Sequence, residues 1–393
     1  MRLSIHTSKP KVFYALCAVD FLLRLEWGIS TSMMTLYIHE LGGSPFEVSL
    51  VFSVFAGISI LCYSFWGSLS DNIGKRKRFI IFGMAALLPI YLLIATQRNI
   101  LLLIVLRGST AIFKGAVVPT LFALVSDISP PEYIGTNIGI LGSIEMAGWA
   151  IGPVVGGFLA DSYGFPLLWV FVGITCFTGA LIFLGGGEDP VNLQRSPQRS
   201  VFGGFSDRSL LSQIAVLLVT FGIFLFGFSL LGPNMNVYLY EELQLSRTLV
   251  GVLTFLGGGV TMALQPFIGS WSDRIGRKPF LIVSALMLAL GNFILFLAKD
   301  FSLALLSQIL IRNYSAFLVI ASAYITDVVP AEKKSTALGL QNSIGGLSRS
   351  IGAIVGGLII TFVDIPTLIL VSIIFPISGI FGILFFLKES RIK

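Results

Sequence analysis

Twelve separate stretches of this chain are long and apolar enough to cross a lipid bilayer. A hydrocarbon core about 30 Å thick requires ~20 mostly apolar helical residues. Runs of that kind fall at roughly 12–38, 46–69, 78–97, 100–126, 136–160 and 164–186, and again at 210–238, 246–270, 279–298, 301–328, 334–361 and 364–387. Within lipid a backbone finds hydrogen-bond partners only inside its own segment or in a closed barrel. The short alternating segments of a barrel are absent, so the expected fold is all-α and integral to the membrane. Composition agrees: 55% of residues are hydrophobic and 12% charged, where a soluble domain carries about 25% charge. The first apolar run is too long for a cleaved signal peptide, and no small-residue cleavage site follows it.

The same numbers exclude several function classes. Cys17, Cys62 and Cys176 are far apart in apolar stretches, and His6 and His39 are the only histidines, so neither a disulfide framework nor a Cys/His metal site is expected. No G-x-x-x-x-G-K-S/T or dinucleotide fingerprint occurs. The chain shows no nucleophile pattern, no enzyme activity is expected, and no cofactor is implied.

Lys and Arg set the orientation. With the N-terminus inside, eighteen lie in cytoplasmic segments, and only Arg98, Arg247 and Lys299 lie in outer loops. That bias places both termini in the cytoplasm. It also accounts for the net charge of +6 without nucleic acid, since the cations mark one membrane face of a multi-pass protein in the cell (plasma) membrane.

The two halves repeat each other. Residues 67–78 read GSLSDNIGKRKR and residues 269–280 read GSWSDRIGRKPF. At a shift of 200, Asp127, Pro130, Glu132, Thr136, Gly139 and Ser143 meet Asp327, Pro330, Glu332, Thr336, Gly339 and Ser343, and Gly152, Gly156 and Gly157 meet Gly352, Gly356 and Gly357. The expected organisation is therefore six spans over 1–186, a linker over 187–209 and six more spans over 210–393. The two six-helix bundles would be related by a pseudo-two-fold axis, an arrangement that in transporters places the substrate near the bilayer midplane.

These motifs closely resemble the major facilitator superfamily, and its drug:proton antiporter branch in particular. The family signature G-x-L-x-D-x-x-G-R/K-R/K is met by Gly67, Leu69, Asp71, Gly74, Lys75 and Arg76. The second copy, with Asp273, Gly276 and Arg277, departs at Trp271. Gly148, Gly152, Pro153, Gly156 and Gly157 match the G-x-x-x-G-P-x-x-G-G pattern of proton-coupled antiporters, and the second half lacks the proline. The resemblance implies a cytoplasmic latch. Asp71 would accept bonds from the N-terminus of span 11 near Thr336, and Asp273 would do the same for span 5, as helix dipoles favour. A plain topology anchor is the blander reading. Gly148, Gly152 and Gly156 share one helix face, and Pro153 bends it; the stripe reads equally as a hinge between halves or as tight packing.

Ionisable residues inside the spans are costly in lipid and mark function. Asp20, Arg24 and Glu26 lie in span 1, Arg107 and Lys114 in span 4, Glu145 in span 5, Arg312 in span 10 and Arg349 in span 11. Asp20 and Arg24, four apart on one helical face, can form an ion pair. Glu26 is rotated about 200° from Arg24 and needs another partner, with Lys114 and Arg312 as candidates. Glu26, Asp20 and Glu145 are the candidate proton carriers. Arg24, Arg107, Lys114, Arg312 and Arg349, with Asn313, Tyr314, Asn236 and Trp27, are the candidate substrate contacts. Arg312 and Arg349 would clamp a carboxylate or phosphate, or else pair with Glu26 or Glu145. Gln308, Asn342, Asn234, Gln265 and Phe113 stand nearby.

Together these features predict a secondary transporter of a small molecule, working as a rocker switch and driven by the proton gradient, with a monomer sufficient. The antiporter pattern favours efflux of a hydrophobic or amphipathic compound, and the positive excess among the span charges favours symport of an organic anion. A transport-inactive receptor is the remote alternative.

Overall fold

A computed structural model describes residues 7, 9–189, 208–330 and 334–389. Residues 190–207 of the expected linker lie outside these, as do Arg2, Lys333, Arg391 and Lys393. Among the described residues every regular element is helical. In chain order they are α1 Pro10–Glu40, α2 Pro45–Ile73, α3 Arg76–Thr96, α4 Ile100–Ile128, a 3-10 turn at Pro131–Tyr133, and α5 Ile134–Gly186. There follow α6 Arg208–Leu231, α7 Met235–Glu241, α8 Arg247–Ile275, α9 Arg277–Leu297, α10 Phe301–Arg312, α11 Tyr314–Val328, α12 Lys334–Ile360 and α13 Ile365–Phe386.

The pattern of one span per helix is broken at three places, each for a local reason. The 53 residues of α5 would extend about 80 Å at 1.5 Å per residue, far more than one crossing needs. Gly164, at φ +79°, turns the chain there, a conformation a side chain would resist, so α5 carries spans 5 and 6. Span 7 is divided into α6 and α7, because Pro233 has no N–H to continue the ladder. Span 10 is divided at Asn313. There the Asn313 N–H donates to the Leu310 carbonyl and the Ala316 N–H to the Asn313 carbonyl, which is 3-10 winding. Among the described residues ten stretches pass as membrane-crossing by length and apolarity. α1 is not one of them, since Asp20, Arg24 and Glu26 interrupt its apolar run.

The chain forms two compact units. The first comprises Met1–Gly42, Val54–Pro197 and Ser246–Gly251, and the second Gly43–Ser53, Gln198–Leu245 and Val252–Lys393. In the first, α1 lies along α5. A Cβ at Gly148 would come 2.5 Å from the Phe21 carbonyl, and one at Gly152 2.6 Å from the Leu25 carbonyl, so only glycine permits this approach. The stripe with Gly156 is thus seated on α1 within one unit. In lipid such backbone contact is the main source of helix association. In the second unit α6 meets α12 likewise, with a Gly352 Cβ 2.6 Å from the Phe226 carbonyl.

The repeat extends to the helix ends. Asp189 accepts from the Lys77 N–H at 2.7 Å at the start of α3, and Glu389 from the Arg277 N–H at 2.7 Å at the start of α9. Lys77 Nζ donates to the Leu184 carbonyl and Lys278 Nζ to the Leu384 carbonyl. Each unit thereby ties its last helix to the entry of its third, with a carboxylate at the positive end of the helix dipole.

Candidate functional site

The buried charged residues of α1 divide between two clusters, because Arg24 and Glu26 point to opposite sides of the helix. Arg24 Nε donates to Asp20 Oδ1 at 3.3 Å, and its Nη2 lies 3.1 Å from Glu145 Oε1 on α5. One guanidinium thus binds two carboxylates, a geometry its planar fork allows. Glu26 is fully buried. Its Oε2 lies 2.5 Å from Lys114 Nζ, its Oε1 lies 3.6 Å from Arg107 Nη1, and both cations come from α4. Glu26 Oε1 also accepts from Ser30 Oγ at 2.8 Å and from the Tyr91 hydroxyl on α3. Arg107 Nη1 in turn donates to the Tyr91 oxygen at 3.2 Å.

Aromatic rings close this cluster. Arg107 lies over the Phe55 ring at 4.2 Å from its centroid, and Lys114 stands 5.1 Å from Phe55 and 5.2 Å from Trp27. Trp27 also receives Arg24 at 5.0 Å, and meets Phe55 edge-on at 5.8 Å. Cations held against ring faces in a dry setting gain from the ring quadrupole. Lys114, like Glu26, is fully buried. The cluster of one carboxylate, one ammonium and one guanidinium has a formal charge of +1.

At the ends of the helices the repeated motif builds the same device twice. Gly74 at φ +73° and Gly276 at φ +112° turn the chain between helices. Arg76 then binds Asp71 at 2.9 Å, Ser70 at 3.3 Å and Asp127. Arg277 binds Asp327 at 3.0 Å, Ser272 at 2.6 Å and Asp273. Asp71 and Asp273 each hold a cation of their own unit, and their side chains are largely exposed. Lys75 precedes α3 and contributes no side-chain cap. Gly67 faces Pro119 at ordinary contact distance. Outside the spans, Lys9 binds Glu188 at 2.9 Å, and this bond and charge hold the Glu188 carboxyl below its usual range.

A sequence model of the Major Facilitator Superfamily matches residues 16–231 and again 217–393. The chain belongs to that superfamily. It is a multi-pass membrane transporter with that family's twelve-helix fold; the family is one of transporters and not of enzymes. An uncharacterised MFS-type transporter, MJ1560, of Methanocaldococcus jannaschii is 26% identical over 97% of this chain and 99% of its own. The quinolone resistance protein NorA of Staphylococcus aureus is 24% identical over 86% of this chain and 87% of its own. The multidrug resistance protein MdtG of Serratia proteamaculans is 27% identical over 68% of each. Among solved structures, a mutant of the nucleoside transporter NupG superposes with a TM-score of 0.82 at 14% identity, over 96% of this chain and 100% of that one.

Within this superfamily chain the second unit holds the remaining candidates. Arg312 Nη2 donates to Thr254 Oγ1 at 3.3 Å, and Arg349 Nε to the Gly345 carbonyl at 3.2 Å. Asn313 Nδ2 contacts Met287 Sδ at 3.0 Å, and Tyr314 stacks on Phe228 with centroids 4.0 Å apart. Asn236 is buried at the start of α7. Glu26 therefore takes its cations from α4, both in its own unit, and Glu145 takes Arg24.

Several participants were not legible as such. Tyr91 sits in an apolar run with nothing to set it apart. Ser30 is one turn from Glu26, a spacing that would have found it. Asp127 and Asp327 are visible as repeat partners, but the spacing does not say that they close on Arg76 and Arg277. At the helix ends opposite the repeated motif, Arg247 binds Glu40 and lies 3.5 Å from Asp161. Asp161 also accepts from the Thr248 N–H at 2.8 Å and from Thr248 Oγ1 at 2.6 Å.

Proposed function

We propose that this transporter is a proton-coupled exporter of hydrophobic or amphipathic compounds. It works as a monomer by alternating access in the plasma membrane, with both termini in the cytoplasm. The observation that carries the reading is the buried Glu26 with two cations on it. A proton delivered to Glu26 removes the counter-charge of Lys114 and Arg107 together, and two uncompensated cations in a dry site must move or be solvated. Protonation and helix rearrangement are thereby linked. Asp20 and Glu145, sharing Arg24, form a second titratable pair whose proton would free that guanidinium. Arg76 with Asp71 and Asp127, and Arg277 with Asp273 and Asp327, would brace the cytoplasmic helix ends between the two states. The names of NorA and MdtG, resistance proteins, support export.

A second reading, symport of an organic anion, draws on Arg312 and Arg349. The discriminating experiment is flux in proteoliposomes under an imposed pH gradient. The export reading expects amphiphiles to move against an inward proton flow and expects Glu26→Gln to abolish gradient-driven transport. Co-movement of substrate and protons would replace export by symport. Unchanged uphill transport in Glu26→Gln would remove Glu26 as the carrier.

A further inference from the structure

A buried amide in the second unit stands without an acceptor. Gln308, on α10, is 1% exposed, and its Nε2 makes no hydrogen bond to any described residue. Arg312 follows one helical turn later, so both side chains rise on the face that meets α8. Gly257 of α8 brings that face close: a Cβ there would stand 3.1 Å from the Gln308 carbonyl and 3.2 Å from Arg312 Cγ. Thr254, one turn before Gly257 and 3% exposed, accepts from Arg312 Nη2 at 3.3 Å. The cluster brings the Gln308 amide NH₂, the Arg312 guanidinium and the Thr254 hydroxyl to one place.

The protein has no carboxylate to offer Gln308 from the neighbouring helices. α6, α9, α10, α12 and α13 contain no Asp or Glu, and α7, α8 and α11 carry only Glu241, Asp273 and Asp327, each at or near a helix end. A buried amide N–H without an acceptor is unfavourable and rare in folded proteins. An acceptor brought by a ligand relieves that cost. A carboxylate suits the donors best, since its two oxygens accept from a guanidinium fork and an amide in one plane.

We infer that Gln308, Arg312 and Thr254 form the head-group subsite of the transported compound, and that this compound is an amphiphile carrying a carboxylate. The inference rests on the transport reading above and narrows its substrate class: the apolar body belongs to that reading, and the anionic head is what these residues add. Gln308 is the specificity-determining residue, because Arg312 alone attracts any anion whereas the amide selects an oxygen acceptor at a set position.

The test is equilibrium binding to the detergent-purified full chain of three probes that share one body, 4-phenylbutyrate, 4-phenylbutanol and 4-phenylbutylamine. Wild type is expected to bind the carboxylate at least tenfold more tightly than either other probe. Gln308→Leu and Arg312→Gln are each expected to erase that advantage, and Thr254→Val to reduce it three- to fivefold. Gln308→Leu removes a donor that lacks an acceptor, so its unfolding midpoint without ligand is expected to be no lower than wild type, which checks its fold. Equal binding of the three probes, binding of none, or an advantage that survives Gln308→Leu and Arg312→Gln would overturn the subsite. Equal binding is also the result if Gln308 merely holds a water. No gradient enters this measurement, so its failure leaves proton coupling intact, and a failed flux assay with the carboxylate preference present removes only the proton-coupled reading.

Discussion

Removing the charge of Glu26 or of Lys114 perturbs the same ion pair in opposite electrostatic directions, and the structure ranks the two outcomes. Wild type holds one carboxylate against two cations, at 2.5 Å and 3.6 Å, with the Glu26 and Lys114 side chains fully buried. Glu26→Gln leaves Lys114 and Arg107 facing each other with no anion, raising the cluster from +1 to +2. Breaking a buried pair so that a charge is stranded costs ~3–5 kcal/mol, and here two cations are stranded. Lys114→Met instead leaves Glu26 paired with Arg107 and still hydrogen-bonded by Tyr91 and Ser30, so the cluster becomes neutral. Its cost is that of one lost charged contact, ~1.5–3 kcal/mol, reduced by the apolar fit of Met against Trp27 and Phe55. The double variant restores +1 with Arg107 alone and should fall short of the sum of the singles by at least ~1 kcal/mol. Thermal or denaturant unfolding of purified protein in detergent, followed by tryptophan fluorescence, reads all four corners of the cycle. The expected order of stability is wild type, Lys114→Met, then Glu26→Gln. A double variant with additive losses, or a Lys114→Met protein less stable than Glu26→Gln, would refute the reasoning.

Arg76→Gln and Arg277→Gln should each destabilise by about 2 kcal/mol through a lost charged network, with transport slowed alike in both if the two copies act as a pair; unequal unfolding midpoints would break the equivalence. Gly152→Val sets a side chain against the Leu25 carbonyl and the Ile29 nitrogen at 2.6 and 2.8 Å. It should lower stability by ~1–3 kcal/mol through overpacking, whereas Gly139→Val, with nothing within 4 Å of its Cβ, should be near neutral. Asp161→Ala removes the cap on Thr248 together with one partner of Arg247. A loss of ~1–2 kcal/mol is expected, and unchanged unfolding would show that the contact contributes nothing.

Much of the architecture was legible in one dimension. Apolar length measures bilayer thickness directly, so twelve spans could be counted even though α1 is interrupted by charge and α5 is continuous across Gly164. The Lys and Arg asymmetry and the repeated motif are likewise properties of order along the chain. The breaks at Pro233 and Asn313 were less visible. A proline two residues after a helix end looks the same as one that ends a span, and the 3-10 winding at Asn313 has no sequence marker.

The sequence by itself determined that the chain is a duplicated bundle of membrane helices with ionisable residues deep inside several spans, because span length and motif spacing are local quantities. Only the tertiary structure decided which cation serves which carboxylate. Glu26 is met by Lys114 and Arg107, because pairing depends on how α1 and α4 are rotated and how closely their unit packs, and helical spacing within one segment carries no such information. The repeated motif shows the same division. Aligned as sequence, Lys75 corresponds to Arg277. In space Arg76 is the counterpart of Arg277, because α3 begins one residue later after its glycine than α9 does, and the cation that closes on the two aspartates is the one the helix start brings into reach.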